Sequence, residues 1–480
     1  MVSTTNSTNE EAGNLVIGAG PAGLTVAKEL SSRGVKCIVV ESDNVVGGIS
    51  RTVERNGWRF DIGGHRFFTK VKRVEDFWNQ ILMDGDFMSR PRLSRIYYKG
   101  AFYDYPLKAL NALRNLGVIE SIRCVLSYAW VRVHPPRDLS TFEGWTASRF
   151  GWRLYRIFFK TYTEKVWGVP AGEIQADWAA QRIKNLSLFK AIKGAILPKK
   201  GSTDVTSLID RFDYPKFGPG MLWQECARQV IAFGSEIKFH SQITTIKHAQ
   251  QKAISVEWVK RDNTTETYVV RNLFSSMPLS ELILSLDPPA PVEVMDAARK
   301  LRYRDFMTVA LVLPDDGIFP DNWIYVHDAK VKVGRIQNFK SWSPYMVKDG
   351  FTCLGLEYFV NEGDELWTSN DSDLIQLGVD ELRYLNLLHE VNVSEGYVVR
   401  MPKAYPMYDG HYRESTDLIR TWLDANLVNV YPIGRNGMHR YNNQDHSMLT
   451  AMLSVEKVFG AEHDIWSVNV DDDYHEEVSK

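Results

Sequence analysis

Short apolar runs and longer stretches of helical spacing divide this chain. After Asn14, Leu15-Val16-Ile17 is apolar without alternation, the pattern of a strand buried on both faces, and residues 24–30 continue at helical spacing. Val35-Lys36-Cys37-Ile38-Val39-Val40 predicts a second buried strand. At 95–107, Lys99-Gly100 separates two aromatic runs, which predicts a hairpin. From Pro106 to about Lys200 the period turns helical: Leu110, Leu113, Leu116, Ile119, Ile122 and Val125 recur at spacings of three and predict a separate helical domain. A turn-rich loop at 213–220 leads into a helix from about Met221. Strands return at 254–258 and 267–273, either side of Asp262-Asn263, and again at 310–313, 323–327 and 352–359. A helix at 376–390, a last buried strand at 429–435 and a last helix at 448–459 complete the pattern.

The first strand runs straight into Gly18-Ala19-Gly20-Pro21-Ala22-Gly23, a G-x-G-x-x-G sequence opening a helix. Gly18 permits the tight turn, Gly20 the approach of a pyrophosphate to the backbone, and Gly23 close packing of helix on strand. The amides and dipole of the helix start then face phosphate charge. Glu41 ends the second strand at the distance where an acidic side chain takes a ribose hydroxyl, and Gly47-Gly48 follows. That glycine pair, found near the flavin diphosphate in many FAD proteins, makes FAD rather than NAD the expected cofactor.

The fold class that follows is α/β: a Rossmann-like FAD-binding domain with an inserted helical domain and an antiparallel sheet domain. The expected FAD-binding domain is discontinuous, 14–92 with 202–300 and 426–465. Residues 107–200 form the helical domain and 93–106 with 301–425 the sheet domain, leaving tails at 1–13 and 466–480. A chain of 480 residues has ample core for this, and a net charge of −2 gives no basic footprint for nucleic acid. No apolar run has the length of a bilayer span, and 1–13 is polar, so neither a membrane helix nor a signal peptide is expected. Cys37, Cys124, Cys226 and Cys353 are scattered without C-x-x-C, which suits a reducing, cytoplasmic compartment and no metal site.

Several further stretches resemble one family. Gly63-Gly64-His65-Arg66-Phe67, Tyr162-Thr163-Glu164-Lys165-Val166-Trp167-Gly168 and Asn443-Gln444-Asp445-His446-Ser447 are similar to motifs of the UDP-galactopyranose mutases, a branch of the amine oxidase and protoporphyrinogen oxidase flavoproteins. Gly218-Pro219-Gly220-Met221-Leu222-Trp223 and Leu301-Arg302-Tyr303-Arg304 match as well, and the resemblance covers roughly 14–459. It departs at Phe68, where bacterial mutases carry a second histidine, and at Arg66. The resemblance implies an isomerase that holds FAD without a covalent bond and needs it reduced. By that resemblance, flavin N5 attacks the anomeric carbon of a nucleotide sugar and expels the nucleoside diphosphate, the ring of the flavin–sugar adduct opens and recloses through another hydroxyl, and the diphosphate displaces the flavin.

By the same resemblance, Arg182 and Arg304 would hold the diphosphate, whose oxygens suit guanidinium forks. Tyr325, Tyr358 and Tyr441 would add hydrogen bonds to it, Trp167 would wall the sugar pocket, and Trp223 would pack. Gly64 and His65 would lie against the isoalloxazine, Gly434 and Arg435 at the FAD pyrophosphate, and Asn443, Gln444 and Asp445 toward the ribityl chain. The 440–447 stretch also reads as a polar helix start, since Asn, Asp and Ser favour caps. The rival expectation is an FAD oxidoreductase of the amine oxidase or protoporphyrinogen oxidase kind, which would have an apolar tunnel and no diphosphate cations. Sugar, nucleotide and homo-oligomeric state stay open.

Overall fold

The computed structural model describes residues 12–105, 107, 109–176, 207–388, 392–469 and 477–478. The chain divides into two compact units, one of Met1–Gly48, Trp223–Arg302 and Tyr412–Asn469, the other of Ile49–Leu222, Tyr303–His411 and Val470–Lys480.

The first unit is a Rossmann-like α/β layer. Its strand Gly13–Ile17 pairs in parallel with Cys37–Val40 on one side and with Thr265–Ser275 on the other. Glu236–Lys238 extends the parallel set at one edge, and Val430–Pro432 joins Thr265–Ser275. Both faces of these strands are covered, so Leu15, Ile17, Val40 and Leu273 are all buried, as their unbroken apolar runs require. Beyond Thr265–Ser275 the sheet turns antiparallel through Lys252–Lys260 and Ser241–Ala249. The turn expected at Asp262-Asn263 is there, with Asn263 at φ 63°. The helix Pro21–Ser32 follows the glycine turn with proline in its first position, where the missing N–H costs nothing. The last helix, Gln444–Val458, starts four residues before the expected Met448, because Asn443 and His446 form a capping box there.

The second unit is built on a seven-stranded sheet in the order Glu395–Pro406, Tyr303–Pro314, Phe351–Val360, Arg335–Asn338, Trp323–Val326, Ser94–Tyr98, Ala101–Asp104. The expected antiparallel character needs one correction, since Trp323–Val326 runs parallel to Ser94–Tyr98. The hairpin at Lys99-Gly100 forms as read, with both residues at positive φ. Met307, Val309, Leu311, Ile324, Ile336, Leu354 and Leu356 make the core, against Leu374, Val379 and Leu382 of the helix Asp371–Tyr384. That helix ends six residues before the expected boundary, and Asn386 turns the chain at φ 55°.

The described helices of the 107–200 stretch lie in this same unit. The long period of three is cut by Gly117, at φ 78°, into Ala109–Leu116 and Val118–Val133. The next helix, Phe142–Tyr155, kinks at Gly151 (φ 80°), where a Cβ would stand 2.7 Å from the backbone nitrogen of Tyr128. Only glycine lets the two helices come that close. Among the described residues no helix is long and apolar enough to cross a membrane, and no group of three or more His, Cys, Asp or Glu could hold a metal ion.

A buried carboxyl ties the second unit together. Asp61, fully buried at the end of the strand Trp58–Asp61, accepts hydrogen bonds from the Tyr214 hydroxyl and from Thr52 Oγ1 at 2.8 Å. Thr52 Oγ1 in turn accepts the Gly220 N–H at 3.0 Å, so the Gly218-Pro219-Gly220 motif packs on this network. Burial pushes the Asp61 carboxyl up to about 7, its hydrogen bonds opposing the shift. The folded chain thus holds this proton more tightly than the unfolded one, whose aspartate titrates near 4. The contribution is fullest below about pH 4 and is lost as the pH rises through about 7. Comparing urea midpoints at about pH 5 and about pH 8, Asp61→Asn should lose this part of the parent's decline with pH; an unchanged slope would remove Asp61 as its source.

Candidate cofactor and substrate site

In the first unit the expected phosphate cradle is assembled from two glycine turns. Gly18, at φ 94°, donates its N–H to Val40 O at 2.8 Å, and Leu24 N–H closes on Gly20 O at 3.0 Å. Gly47, at φ 99°, donates to Ala19 O at 2.8 Å and brings Gly48 against Gly20. A Cβ on Gly48 would stand 3.4 Å from the Gly20 Cα, while one on Gly23 would drive into the Gly18 carbonyl. Glu41 fixes the turn: its Oε2 accepts the Ala19 N–H at 2.6 Å and its Oε1 the Asp43 N–H at 2.8 Å. The residue-type pattern does not reveal this anchoring role, which leaves the carboxylate's other lone pairs for a ribose hydroxyl.

The C-terminal stretch closes on the same turn. Gly434, at φ 75°, donates to Thr450 Oγ1 at 3.0 Å, and a Cβ there would lie 2.9 Å from the Cβ of Ala22. Arg435 Nε donates to Asn442 O at 2.9 Å, and its guanidinium sits over the Tyr441 ring at 4.8 Å. Asn443 is engaged as the helix cap, the role its residue type equally allowed. Gln444 Oε1 accepts from Trp223 Nε1 at 3.2 Å, while its buried Nε2 has no protein hydrogen-bond partner. Asp445 is 3% exposed beside it. A glycine cradle that side chains would fill, together with a buried amide donor in want of an acceptor, fits an extended dinucleotide.

The second unit holds the remaining expected residues in three separate places, and Arg182 lies outside the described residues. The first place is the end of the helix Thr161–Trp167. Gly168 is left-handed, at φ 67°, and a Cβ there would stand 2.6 Å from the Arg304 Cζ. Arg304, 6% exposed, donates through Nη2 to Phe359 O at 2.7 Å and through Nε to Val166 O at 3.3 Å. Burial lowers its pKa from the usual arginine value. Its guanidinium thus joins a carbonyl at the end of the helix Thr161–Trp167, a natural seat for a cation, to one of the strand Phe351–Val360. Trp167, 1% exposed, stacks on Tyr408 at 6.3 Å. Lys165 on the same helix donates to the carbonyls of Asp328 at 2.6 Å, Val333 at 3.0 Å and Val326 at 3.4 Å, and burial pushes it down to about 8. So the Y-T-E-K-V-W-G stretch fastens its helix to the sheet, a role its spacing does not announce.

The second place is the core. Tyr358 is completely buried and donates to Glu381 Oε2 at 3.0 Å; Glu381 also accepts from the Lys332 and Val333 N–H groups. In this arrangement the tyrosine is an interior anchor between strand and helix. The third place is an aromatic wall. Tyr325 is half-buried, with Tyr105 at 4.7 Å, Tyr162 edge-on at 5.4 Å and Trp323 at 5.7 Å. Tyr162 also stacks on His327, whose imidazole is pushed down to about 3 by burial and by the charge of Lys165, and is therefore neutral. Arg66 lies over Trp323 at 4.1 Å and donates to Ser94 Oγ at 2.7 Å. A Cβ on Gly64 would project into the Trp323 indole. His65, half-buried, holds its Nδ1 at 3.2 Å from Gly63 O.

The first unit thus has a Rossmann-like form, and residues 16–81, of which 16–48 lie in it, match the family model described as an NAD(P)-binding Rossmann-like domain. The comparisons then agree with the resemblance seen in the motifs. The chain is 28% identical to the dTDP-fucopyranose mutase of Escherichia coli over 170 residues, 34% of this chain and 44% of that protein. It is 25% identical to a probable UDP-galactopyranose mutase of Klebsiella pneumoniae over 171 residues, 34% of this chain and 43% of that one. The matched stretch therefore spans less than half of these mutases. A chloroplastic protoporphyrinogen oxidase of Nicotiana tabacum is 20% identical over 362 residues, 72% of this chain and 63% of that one. Among solved structures, reduced UDP-galactopyranose mutase superposes with TM-score 0.81 and 22% identity, covering 96% of this chain and 98% of that one. A putative protoporphyrinogen oxidase from Exiguobacterium sp. 255-15 gives TM-score 0.69 and 16% identity, covering 94% and 100%. The fold is the one these mutases and oxidases share.

Proposed function

We propose that this protein is an FAD-dependent nucleotide-sugar mutase that interconverts ring forms of the sugar and requires its flavin reduced. What carries the reading is the pair of mutase relatives, both named for sugars on nucleoside diphosphates, together with a cradle shaped for a dinucleotide. Gly18, Gly20, Gly23, Gly47, Gly48 and Gly434 would admit the cofactor's pyrophosphate, Glu41 its ribose, and Arg435, Gln444 and Asp445 the remainder. FAD, when bound and reduced, supplies a nucleophile for the anomeric carbon.

The chain's own part is binding and charge. Arg182 is the guanidinium we assign to the substrate diphosphate, whose charge grows as it leaves the sugar. Arg304 becomes a positioning residue that holds Gly168 and Trp167. Tyr325 and Tyr441 offer a hydroxyl each, and the wall of Tyr105, Tyr162 and Tyr325 suits the flat faces of a base and sugar. A cytoplasmic, non-covalent flavoprotein is the form we expect.

The second reading, an FAD oxidoreductase, is favoured by the longer stretch aligned with the protoporphyrinogen oxidase. We rank it lower because the mutase superposes better over nearly the whole chain. The test is incubation of the dithionite-reduced protein with UDP-galactopyranose and with dTDP- and GDP-linked pyranoses. A product of equal mass that forms only with reduced flavin is expected. Stoichiometric consumption of oxygen or a nicotinamide, with an oxidised product, would transfer the assignment to the oxidoreductases.

A further inference from the structure

The helix Val118–Val133 is amphipathic the wrong way round. Its packed face is small and polar: Ser121 and Cys124 are buried with Val131, and Ser127 Oγ accepts the Arg153 N–H at 3.0 Å. Its outer face is apolar. Val118, Ile119, Ile122, Val125, Leu126, Trp130 and Val133 are 43–76% exposed and follow one another at spacings of three and four along the helix. Leu139 continues the patch at 51% exposure. A soluble helix turns such a stripe to its core, and contiguous apolar patches of this kind mark interaction sites.

The charges around the stripe choose among occupants. Residues 109–139 carry Arg114, Arg123, Arg132 and Arg137 against Glu120 and Asp138. Glu120 is paired with Arg153, its Oε2 at 2.8 Å from Nη2, and with Arg123 at 3.5 Å. The patch thus presents apolar side chains with a surplus of arginine, and Trp130, stacked on His134 at 4.0 Å, is the residue that favours a lipid–water boundary. A second copy would bring the same arginines against these. The stretch 182–200, outside the described residues, has six basic residues and no acidic one, so its charge too is unfavourable here. An anionic lipid surface complements both features.

We propose that the face of helix Val118–Val133 docks this protein on the headgroup region of an anionic bilayer, lying in the plane of the surface. The test uses the full-length protein with its cofactor. It should float with phosphatidylcholine vesicles containing phosphatidylglycerol, less as salt rises, and stay behind with phosphatidylcholine alone. Leu126→Glu and Trp130→Ala should each weaken vesicle affinity at least about tenfold with unchanged circular dichroism and turnover. Because the four native cysteines are buried, Leu126→Cys reports the face selectively. A maleimide dye should label it rapidly in the lipid-free monomer and shift to the blue on adding anionic vesicles. Three results would overturn the proposal. Protection of that cysteine in the monomer would mean the chain covers its own face. A lipid-free dimer that Leu126→Glu dissociates would make the face a self-association surface. Equal binding to both kinds of vesicle, or to neither, would remove the electrostatic argument.

Discussion

Gly23→Ala should yield a protein with less than about a tenth of the parent's bound flavin and a lower urea midpoint. The added Cβ would project into the carbonyl of Gly18 and lie 3.0 Å from its carbon, with Val16 Cγ1 at 3.2 Å. The obstacle is backbone, which cannot rotate away as a flexible side chain could. Relief would require shifting the Gly18 turn, whose N–H is held on Val40 O, or moving the helix Pro21–Ser32 off the strand Gly13–Ile17. Overpacking of this kind costs about 1–3 kcal/mol or more, and the same shift misaligns the amides that would meet a pyrophosphate. Gly20→Ala is the control, since its Cβ would make only an ordinary 3.8 Å contact with Gly48. That variant should keep the parent's urea midpoint while losing flavin, because its Cβ would occupy the space of the ligand. Retention of both flavin and midpoint by Gly23→Ala would mean that the fingerprint glycines are ordinary turn residues.

These glycines show what was legible in the sequence. A positive φ, or a close approach of backbone to backbone, leaves a residue-type signature, so the cradle of Gly18, Gly20, Gly23, Gly47 and Gly48 could be read before its geometry was known. Buried strands with unbroken apolar runs were legible for the same reason. Side-chain partners were not. Tyr358 and Arg304 carry the residue types of a phosphate site, yet tyrosine and arginine also serve to satisfy buried carboxylates and carbonyls, and residue type does not name the Glu381, Val166 and Phe359 partners they have here. The apolar period of three across Ile119, Ile122 and Val125 was a true helical signal, but spacing cannot say which face of a helix meets the core. Here the small side chains of Ser121, Cys124 and Ser127 took that place, because Gly151 lets the neighbouring helix come close enough to pack on them. The early start of the last helix shows the opposite case: Asn443 was a readable cap, and its role as a cap is what the structure displays.

Arg304→Ala is the second variant with a large expected effect, and its effect should be on stability. Removing the guanidinium leaves the carbonyls of Val166 and Phe359 without these donors and opens a cavity behind Gly168. Charged donors to buried acceptors contribute about 1.5–3 kcal/mol each, so a loss of about 3–5 kcal/mol is expected in urea unfolding. The end of the helix Thr161–Trp167 also loses the cation that complements its dipole. Arg304→Lys should recover part of this, since one ammonium can reach one carbonyl but cannot span both as the fork does. Gly168→Ala provides the cross-check. In the parent its Cβ would stand 2.6 Å from the Arg304 Cζ, whereas in Arg304→Ala only the strain of φ 67° remains. The two substitutions should therefore cost less together than the sum of their separate costs, a coupling read from four unfolding midpoints. If Arg304→Ala instead kept the parent's midpoint and lost affinity for UDP, the guanidinium would belong to the substrate, and Arg304 would rejoin Arg182 as a cation for the diphosphate.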